Sequence, residues 1–136
     1  MSGLAMAAAA QSLVGVPYRR DGRDPQTGLD CLGVVAAALA LTGCDATLPP
    51  RSTLRRRDDP DAQAIARATG LLRVDDGRIV PGDVLLLRCS PLQLHALVAV
   101  AATRFVHAHA GLRRVVEGPD DPAWLPVGHW RLPPAP

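Results

Sequence analysis

The stretch GLDCLGVVAAALALTG, residues 28–43, decides the fold that the sequence predicts. Asp30 has the side chain of a helix N-cap, because its carboxylate can accept a hydrogen bond from the first backbone N–H groups of a helix. The apolar body from Cys31 to about Leu41 predicts the helix itself, and Gly43 is suited to end it. The sequence therefore predicts an apolar helix that begins at a cysteine.

Two more helices are predicted on either side of this stretch. Leu4 to Val14 is rich in Ala and Leu, and the pattern stops at Gly15 and Pro17. A loop from Tyr18 to Leu29 then leads into the cysteine helix. A short helix is predicted from Asp61 to Thr69.

The later part of the chain has the pattern of strands. The turn sequence Pro81-Gly82-Asp83 precedes a series of short apolar runs separated by polar residues. The predicted strands are Val84 to Arg88, Leu94 to Ala101, Arg104 to Ala110, Leu112 to Val116 and a short one near Trp130 to Leu132. Helices followed by an antiparallel meander predict one α+β domain over residues 1–136.

The composition excludes several classes of function. Hydrophobic residues make up 48% of the 136 residues and charged residues 21%, which is typical of a globular domain. The formal net charge of +2 is too small to indicate binding to nucleic acid or to an anionic membrane. No apolar run has the length of a membrane span, and no basic residue precedes Arg19, so neither a membrane segment nor a secretory signal is predicted. We therefore expect a protein made in the cytoplasm that another component carries to any target outside.

The three cysteines are Cys31, Cys44 and Cys89. An odd number of cysteines in a chain without a predicted signal argues against a disulfide framework and for reduced thiols. Their spacing does not match a zinc site, so we predict no metal and no other cofactor. The simplest interpretation is one reactive thiol, Cys31, and two thiols in the core or at its edge.

Cys31, His95 and His107 form the constellation that carries chemistry. The N-terminus of a helix directs free N–H groups and a positive partial charge at Cys31, which favours the nucleophilic thiolate. A histidine on a strand can complete a thiolate–imidazolium pair and later protonate a leaving amine. A further polar group must hold that imidazole in the correct tautomer. One cysteine, one histidine and one orienting residue meet these requirements.

His109 competes with His107 for the orienting role. A three-residue turn at positions 101–103 would place His109 directly opposite His95 and His107 diagonal to it, and the sequence does not determine the register. His107 and His109 also have the spacing of two metal ligands on a strand. A zinc site would need a further ligand, which only His95 or a cysteine could supply.

The other prominent side chains are given no catalytic role. His129 is interpreted as a surface or packing residue, and Trp124 as a residue that packs the C-terminal segment against the sheet. Arg113 and Arg114 are interpreted as surface charges.

Five short motifs in chain order resemble the NlpC-type cell-wall cysteine peptidases. They are Gly15-Val16-Pro17-Tyr18, Asp30-Cys31-Leu32-Gly33, Pro81-Gly82-Asp83-Val84, His95 at the start of an apolar strand, and Phe105-Val106-His107-Ala108. Each motif alone is weak. Five motifs in the order and at the distances of that family, spanning residues 15–108, are specific.

The resemblance implies a papain-like fold in which the cysteine helix packs on the sheet. It implies that Cys31 is the nucleophile, that His95 is the general base and that His107, favoured by the Phe-Val-His-Ala match, orients His95. The hydroxyl of Tyr18 would help to hold the oxyanion. Asp30 would help to bind the amino group of the substrate.

The substrate class that the resemblance implies is the stem peptide of bacterial peptidoglycan. The favoured target is the γ-D-glutamyl bond to diaminopimelate, and the N-acetylmuramoyl-alanine bond is a neighbouring possibility. Two departures bear on the details of the substrate. Leu32 stands where the family usually has Ser, and Arg19-Arg20 stands where it usually has a glycine pair.

The Asp-Cys-Leu-Gly variant, the short chain and the missing signal look like the peptidases of phage tails and phage-derived particles. Tail proteins are therefore expected partners besides the stem peptides. A second hypothesis is a structural or assembly component of a phage-like tail, with the same fold and little activity.

Overall fold

The computed structural model describes residues 2–44, 46–48, 66–91 and 93–133. Its elements in chain order are α1 (Gly3–Ser12), β1 (Arg23–Asp24), β2 (Gly28–Leu29), α2 (Cys31–Leu41), β3 (Leu72–Arg73), β4 (Val84–Ser90), β5 (Gln93–Ala101), β6 (Arg104–His109), β7 (Arg114–Gly118) and β8 (Leu125–Arg131). Residues 66–69 are also helical. They are the end of the helix predicted from Asp61, and its earlier part lies outside the described residues.

The predicted order of helices followed by an antiparallel sheet is confirmed. Helix α2 begins and ends at the predicted residues, and strands β4 to β7 differ from the predicted ones by a few residues at their ends. Three differences are larger. Strand β8 begins at Leu125, five residues before the predicted strand, β1 and β2 lie within the predicted loop, and β3 was not predicted.

Both helices begin at a side-chain cap. Ser2 Oγ accepts a hydrogen bond from the backbone N–H of Ala5 at 3.1 Å, and Asp30 Oδ1 accepts one from Gly33 at 2.7 Å. Helix α2 is apolar on all sides, which is typical of a helix inside a protein. Neither helix is long and apolar enough to cross a membrane within the described residues.

Strands β3 to β8 form one antiparallel sheet in the order β3-β8-β4-β5-β6-β7. The pairing of β4 with β8 shifts between Leu86 and Leu87, opposite Gly128 and Pro126. This irregularity accommodates Pro126, because proline has no N–H to give to a strand ladder. Strands β5 and β6, which carry His95 and His107, are neighbours inside the sheet rather than at its edge.

Alternate residues of the strands enter two separate apolar clusters. The helix-side cluster lies between the sheet and the two helices, and it includes Cys31, Leu32, Val84, Leu86, Leu94, Ala96, Val106 and Ala108. The outer cluster lies on the other face of the sheet and consists of Leu85, Leu87, Leu97, Ala99 and Phe105. Ile79 and Trp124 pack against the outer cluster. Both faces of the sheet therefore bury apolar side chains.

The Pro-Gly-Asp motif anchors the start of β4 to β8 through Asp83, which is completely buried. Its Oδ1 accepts a hydrogen bond from Arg131 Nε at 2.8 Å, and its Oδ2 lies 2.6 Å from His129 Nε2 and accepts one from Val80 N at 3.1 Å. Burial raises the pKa of the Asp83 carboxyl, but the hydrogen bonds from Arg131, Val80 and His129 hold that pKa below its ordinary value. His129 therefore pairs with a buried carboxylate, whereas the sequence indicated only a surface or packing residue.

The Gly-Val-Pro-Tyr motif connects the edge of the sheet to the start of α2. Gly15 N donates to Val115 O at 2.9 Å and Val115 N donates to Val16 O at 2.8 Å, so the segment lies along β7. On its other side, Leu29 N donates to Pro17 O at 2.9 Å. This motif fixes the position of the helix that begins at Cys31.

Gly33 of the Asp-Cys-Leu-Gly motif is required by a close backbone approach. A Cβ atom at position 33 would overlap the carbonyl oxygen of Gly22, in the loop that leads to α2. The carbonyl oxygen of Gly22 also accepts a hydrogen bond from Asp30 N at 3.1 Å. The loop can therefore lie directly against the first turn of the cysteine helix only where the helix has no side chain.

Replacing Asp83 by Asn should lower the free energy of unfolding by about 3 kcal/mol, because it leaves buried donors without their carboxylate. Chemical denaturation followed by circular dichroism measures this change. Asp75→Asn is the matched control, because Asp75 pairs with Arg73 at 3.2 Å in an exposed position. The control should change the stability by less than about 1 kcal/mol. Equal effects of the two substitutions would contradict the role of Asp83.

Candidate active site

Cys31 is the first residue of α2 and is 2% exposed. At this position, the free N–H groups and the positive end of the helix dipole favour an ionised sulfur. Cys31 shares the helix-side cluster with Leu94 and Ala108, which are the chain neighbours of His95 and His107. Helix α2 also contacts β5 and β6, the strands that carry these two histidines.

His95 and His107 are joined by a hydrogen bond between their rings. The distance from His95 Nε2 to His107 Nδ1 is 2.8 Å. The ring centroids are 4.9 Å apart and the ring planes meet at 83°. His107 is buried, whereas His95 is partly exposed. In this arrangement, Nδ1 of His95 is the ring nitrogen that the bond to His107 does not use.

The protonation state of His107 allows its ring to accept a hydrogen bond. Burial, and to a smaller extent the neighbouring His109, lowers the pKa of His107 to about 4. His107 is therefore neutral at neutral pH. Its Nδ1 can accept a hydrogen bond from Nε2–H of His95, whether His95 is neutral or protonated. The bond thus leaves Nδ1 of His95 able to take up and release a proton.

His109 makes a different contact. Its Nδ1 accepts a hydrogen bond from the backbone N–H of Leu112 at 3.0 Å, within the turn between β6 and β7. The histidine whose ring shares a hydrogen bond with His95 is His107. The geometry therefore gives His107, and not His109, the position of a residue that orients His95.

The register of β5 and β6 explains why the sequence left this choice open. Val98 pairs with Val106, and the same register extended by three residues would set His95 against His109. This is the register that the competing assignment required. The ring contact nevertheless goes to the diagonal residue, His107, because diagonal neighbours on a sheet lie within reach of aromatic side chains.

Tyr18 lies between the sheet and the residues that lead into α2. Its backbone N–H donates to Arg113 O at 2.9 Å, and it forms a parallel bridge with Leu29, two residues before Cys31. Its side chain is partly buried and packs against the helix-side cluster. The backbone therefore brings Tyr18 towards the start of the cysteine helix. Its role in holding an oxyanion stays a prediction.

Asp30 has the geometry of a helix cap. Its side chain is completely buried, its Oδ1 accepts the hydrogen bond from Gly33, and Arg23 Nε lies 3.6 Å from the same oxygen. These contacts hold the first turn of α2 against the preceding loop. The predicted contact of Asp30 with the amino group of a substrate stays a prediction.

Trp124 lies beside the two histidines, although the sequence indicated only a packing role for it. Its ring centroid lies 5.5 Å from that of His95 and 6.1 Å from that of His107, and it is close to perpendicular to both rings. No motif includes Trp124. It reaches the histidines from a loop, and no local sequence pattern indicates such a contact.

The other two thiols each lie close to a backbone carbonyl oxygen. Cys44 Sγ lies 4.0 Å from Thr69 O, and Cys89 Sγ lies 3.5 Å from Gln93 O. None of the three cysteines forms a disulfide within the part of the chain that the structure describes. Among the described residues, no three His, Cys, Asp or Glu side chains are grouped so as to hold a metal ion.

A cleft of about 350 Å³ lies beside the histidine pair. Its lining includes His107, His109, Trp124, Asp120 and Asp121. A larger groove of about 830 Å³ lies against the middle and end of α2 and contains none of the predicted site residues. Of these two cavities, the smaller one is lined by a predicted site residue, His107, whereas Cys31, His95 and Tyr18 are not part of its lining.

Solved structures similar to this one are NlpC/p60 proteins. The chain aligns with NlpC1 from Trichomonas vaginalis with a TM-score of 0.72 and 19% identity, over 95% of this chain and 43% of that one. It aligns with the NlpC/p60 domain of the peptidoglycan hydrolase SagA with a TM-score of 0.68 and 24% identity, over 97% and 100%. For the peptidoglycan hydrolase RipB from Mycobacterium tuberculosis, the TM-score is 0.61 and the identity 20%, over 95% and 64%.

These likenesses confirm the predicted fold: the chain has the α+β, papain-like fold of NlpC/p60 domains. It spans less than half of the Trichomonas protein and the whole of the SagA domain. A scan against models of protein families and a search of curated proteins gave no match for the sequence.

His107 should make the stability of the protein depend on pH. Its pKa is about 4 in the folded chain and 6.5 when unperturbed, so the unfolded chain binds more protons between these values. The stabilisation is complete above pH 6.5 and is lost as the pH falls towards 4, by on the order of 3 kcal/mol. His107→Asn should remove this part of the pH dependence.

Denaturation of the wild type and the variant at several pH values between 7 and 4.5 measures the difference. His109→Asn is the control on the same strand and should change the slope much less. Equal slopes for the wild type and His107→Asn would show that His107 titrates as an ordinary exposed histidine.

Proposed function

We propose that the protein is a cysteine peptidase that hydrolyses an amide bond in the stem peptide of peptidoglycan. The observation that carries the proposal is the hydrogen bond between His95 Nε2 and His107 Nδ1, on strands that contact the helix beginning at Cys31. The fold supports the same activity, because SagA and RipB, which share it, are peptidoglycan hydrolases.

In the proposed reaction, the thiolate of Cys31 attacks the carbonyl carbon of the amide and a C–S bond forms. His95, protonated at Nδ1, gives this proton to the leaving nitrogen as the C–N bond breaks. Water then loses a proton to His95 and attacks the acyl-enzyme, the C–S bond breaks, and the acid product leaves. His107 orients His95 throughout, and the hydroxyl of Tyr18 stabilises the oxyanion.

The narrower target that we propose is the γ-D-glutamyl bond to diaminopimelate. Such a substrate carries carboxylates, and four exposed arginines lie next to Tyr18 in the chain or on the segment that its backbone contacts. Arg19 and Arg20 follow it directly, the carbonyl oxygen of Arg113 accepts its backbone hydrogen bond, and Arg114 forms a backbone bridge with Pro17. Among the described residues, no ion pair involves any of these four arginines. Their positive charge favours an acidic peptide over a neutral one.

Wild-type protein, Cys31→Ala and Cys44→Ala, incubated with purified diaminopimelate-type peptidoglycan and reductant, test the proposal. Wild type and Cys44→Ala should release the same fragments, and Cys31→Ala should release none, because the nucleophile is missing. Mass spectrometry of the fragments identifies the bond. A free amine on diaminopimelate together with a free γ-carboxylate on D-glutamate would establish the endopeptidase type.

Release of intact stem peptides with an N-terminal alanine would instead establish the amidase type. If no protein releases fragments at any pH, the hydrolase proposal fails. The sequence-based alternative, an assembly component of a phage-like tail, would then be the one to test, by its binding to tail proteins. The association with phage tails is itself a narrower proposal, which rests on the Asp-Cys-Leu-Gly variant.

A further inference from the structure

The loop between β7 and β8 places one aromatic ring against both histidines. Trp124 meets the ring of His95 at a centroid distance of 5.5 Å and an angle of 77°, and the ring of His107 at 6.1 Å and 88°. Such nearly perpendicular pairs are an attractive geometry for aromatic rings. Because one indole touches both imidazoles, it constrains their position relative to each other.

The loop itself is held in a defined conformation. Asp121 Oδ1 accepts a hydrogen bond from Ala123 N at 2.9 Å, and Asp121 O accepts one from Trp124 N at 2.9 Å. The indole also packs against the outer cluster, on the face of the sheet away from the helices. The turn and the outer cluster together define the orientation of the ring beside the two histidines.

The indole also has an electrostatic effect on the pair. Near His107 the ring replaces water, which disfavours charge on a buried imidazole. This agrees with the pKa of His107, which burial lowers to about 4. Other titratable groups beside His107 are His109 on β6 and Asp120 and Asp121 in the loop.

We propose that Trp124 is a positioning residue of the active site, which holds the two imidazoles in hydrogen-bonding geometry and shields their bond from water. The effect of Trp124 on catalysis rests on the proposed function. Its effect on the histidine pair does not, because the hydrogen bond and the protonation of the two rings can be measured without a substrate.

Trp124→Ala tests the proposal, with Trp124→Phe as the conservative variant that restores an aromatic ring. The chain has four histidines, so nitrogen-15 NMR can follow each ring through a pH titration. In Trp124→Ala, the pKa of His107 should rise towards its ordinary value, because water reaches the ring. In Trp124→Phe, it should stay close to that of the wild type.

In assays with a stem-peptide substrate, Trp124→Ala should lower kcat by about tenfold or more with a KM within about twofold, because the base is misplaced rather than the substrate. The acid limb of the pH–rate profile of Trp124→Ala should also shift. Trp124→Phe should recover most of the activity. Leu125→Ala, at an exposed neighbouring position, is the control and should change neither the titration nor kcat.

Three results would overturn the proposal. An unchanged titration of His107 in Trp124→Ala would show that the indole does not shield the pair. A change in stability alone would make Trp124 a packing residue, and a change in KM alone would make it a substrate contact. A wild type without activity would count against the proposed function only, since the titration still decides the role of Trp124.

A measurement on the wild type covers the case in which Trp124→Ala does not fold. The Nε2–H proton of His95 should give a downfield NMR signal that exchanges slowly with water and shows a nuclear Overhauser effect to the indole of Trp124. A rapidly exchanging proton, or the absence of contact with the indole, would also overturn the proposal.

Discussion

A hydrogen bond between two imidazole rings requires that one of them be neutral. If both His95 and His107 were protonated, neither ring would offer an acceptor and the two charges would repel each other. The structure meets this requirement by burying His107, whose pKa falls to about 4, while His95 stays partly exposed. Because His107 is buried and His95 is partly exposed, His107 can serve as the hydrogen-bond acceptor and His95 can carry the proton.

A series of backbone contacts fixes the position of the helix that begins at Cys31. The segment from Gly15 to Tyr18 lies along β7 and also bonds to Leu29, just before α2. The loop at Gly22 lies against the helix at Gly33, where no side chain intervenes. The three motifs around Tyr18, Cys31 and His107 therefore belong to one continuous packing unit. The Pro-Gly-Asp motif acts elsewhere, since Asp83 ties β4 to β8.

The sequence predicted those elements whose signals are local. Helix α2 has a cap at Asp30 and a terminator at Gly43, so its limits were found. Strand β8 contains Pro126 and Gly128, which interrupt the strand pattern, so only its end was found. Strands β1 and β2 have two residues each and depend on contacts with distant segments.

The site residues that belong to the short sequence motifs could be predicted. The register of β5 and β6 favoured His109, and the match to a family motif favoured His107, which the ring geometry supports. Trp124 and the bond of His129 to Asp83 escaped prediction, because both are contacts between residues far apart in the chain. Leu32, which stands where the resembling family usually has a polar residue, is completely buried and contributes to packing.

The rate of alkylation by iodoacetamide as a function of pH shows whether Cys31 is an activated thiolate paired with His95. Cys31 is the most buried of the three cysteines, so accessibility alone would make it the slowest to react. An activated thiolate behaves in the opposite way: Cys31 should react fastest near neutral pH, keep its rate well below the pH at which an ordinary thiol ionises, and lose this advantage in His95→Ala. If Cys31 reacts more slowly than Cys44 and Cys89, and His95→Ala changes nothing, His95 does not activate Cys31.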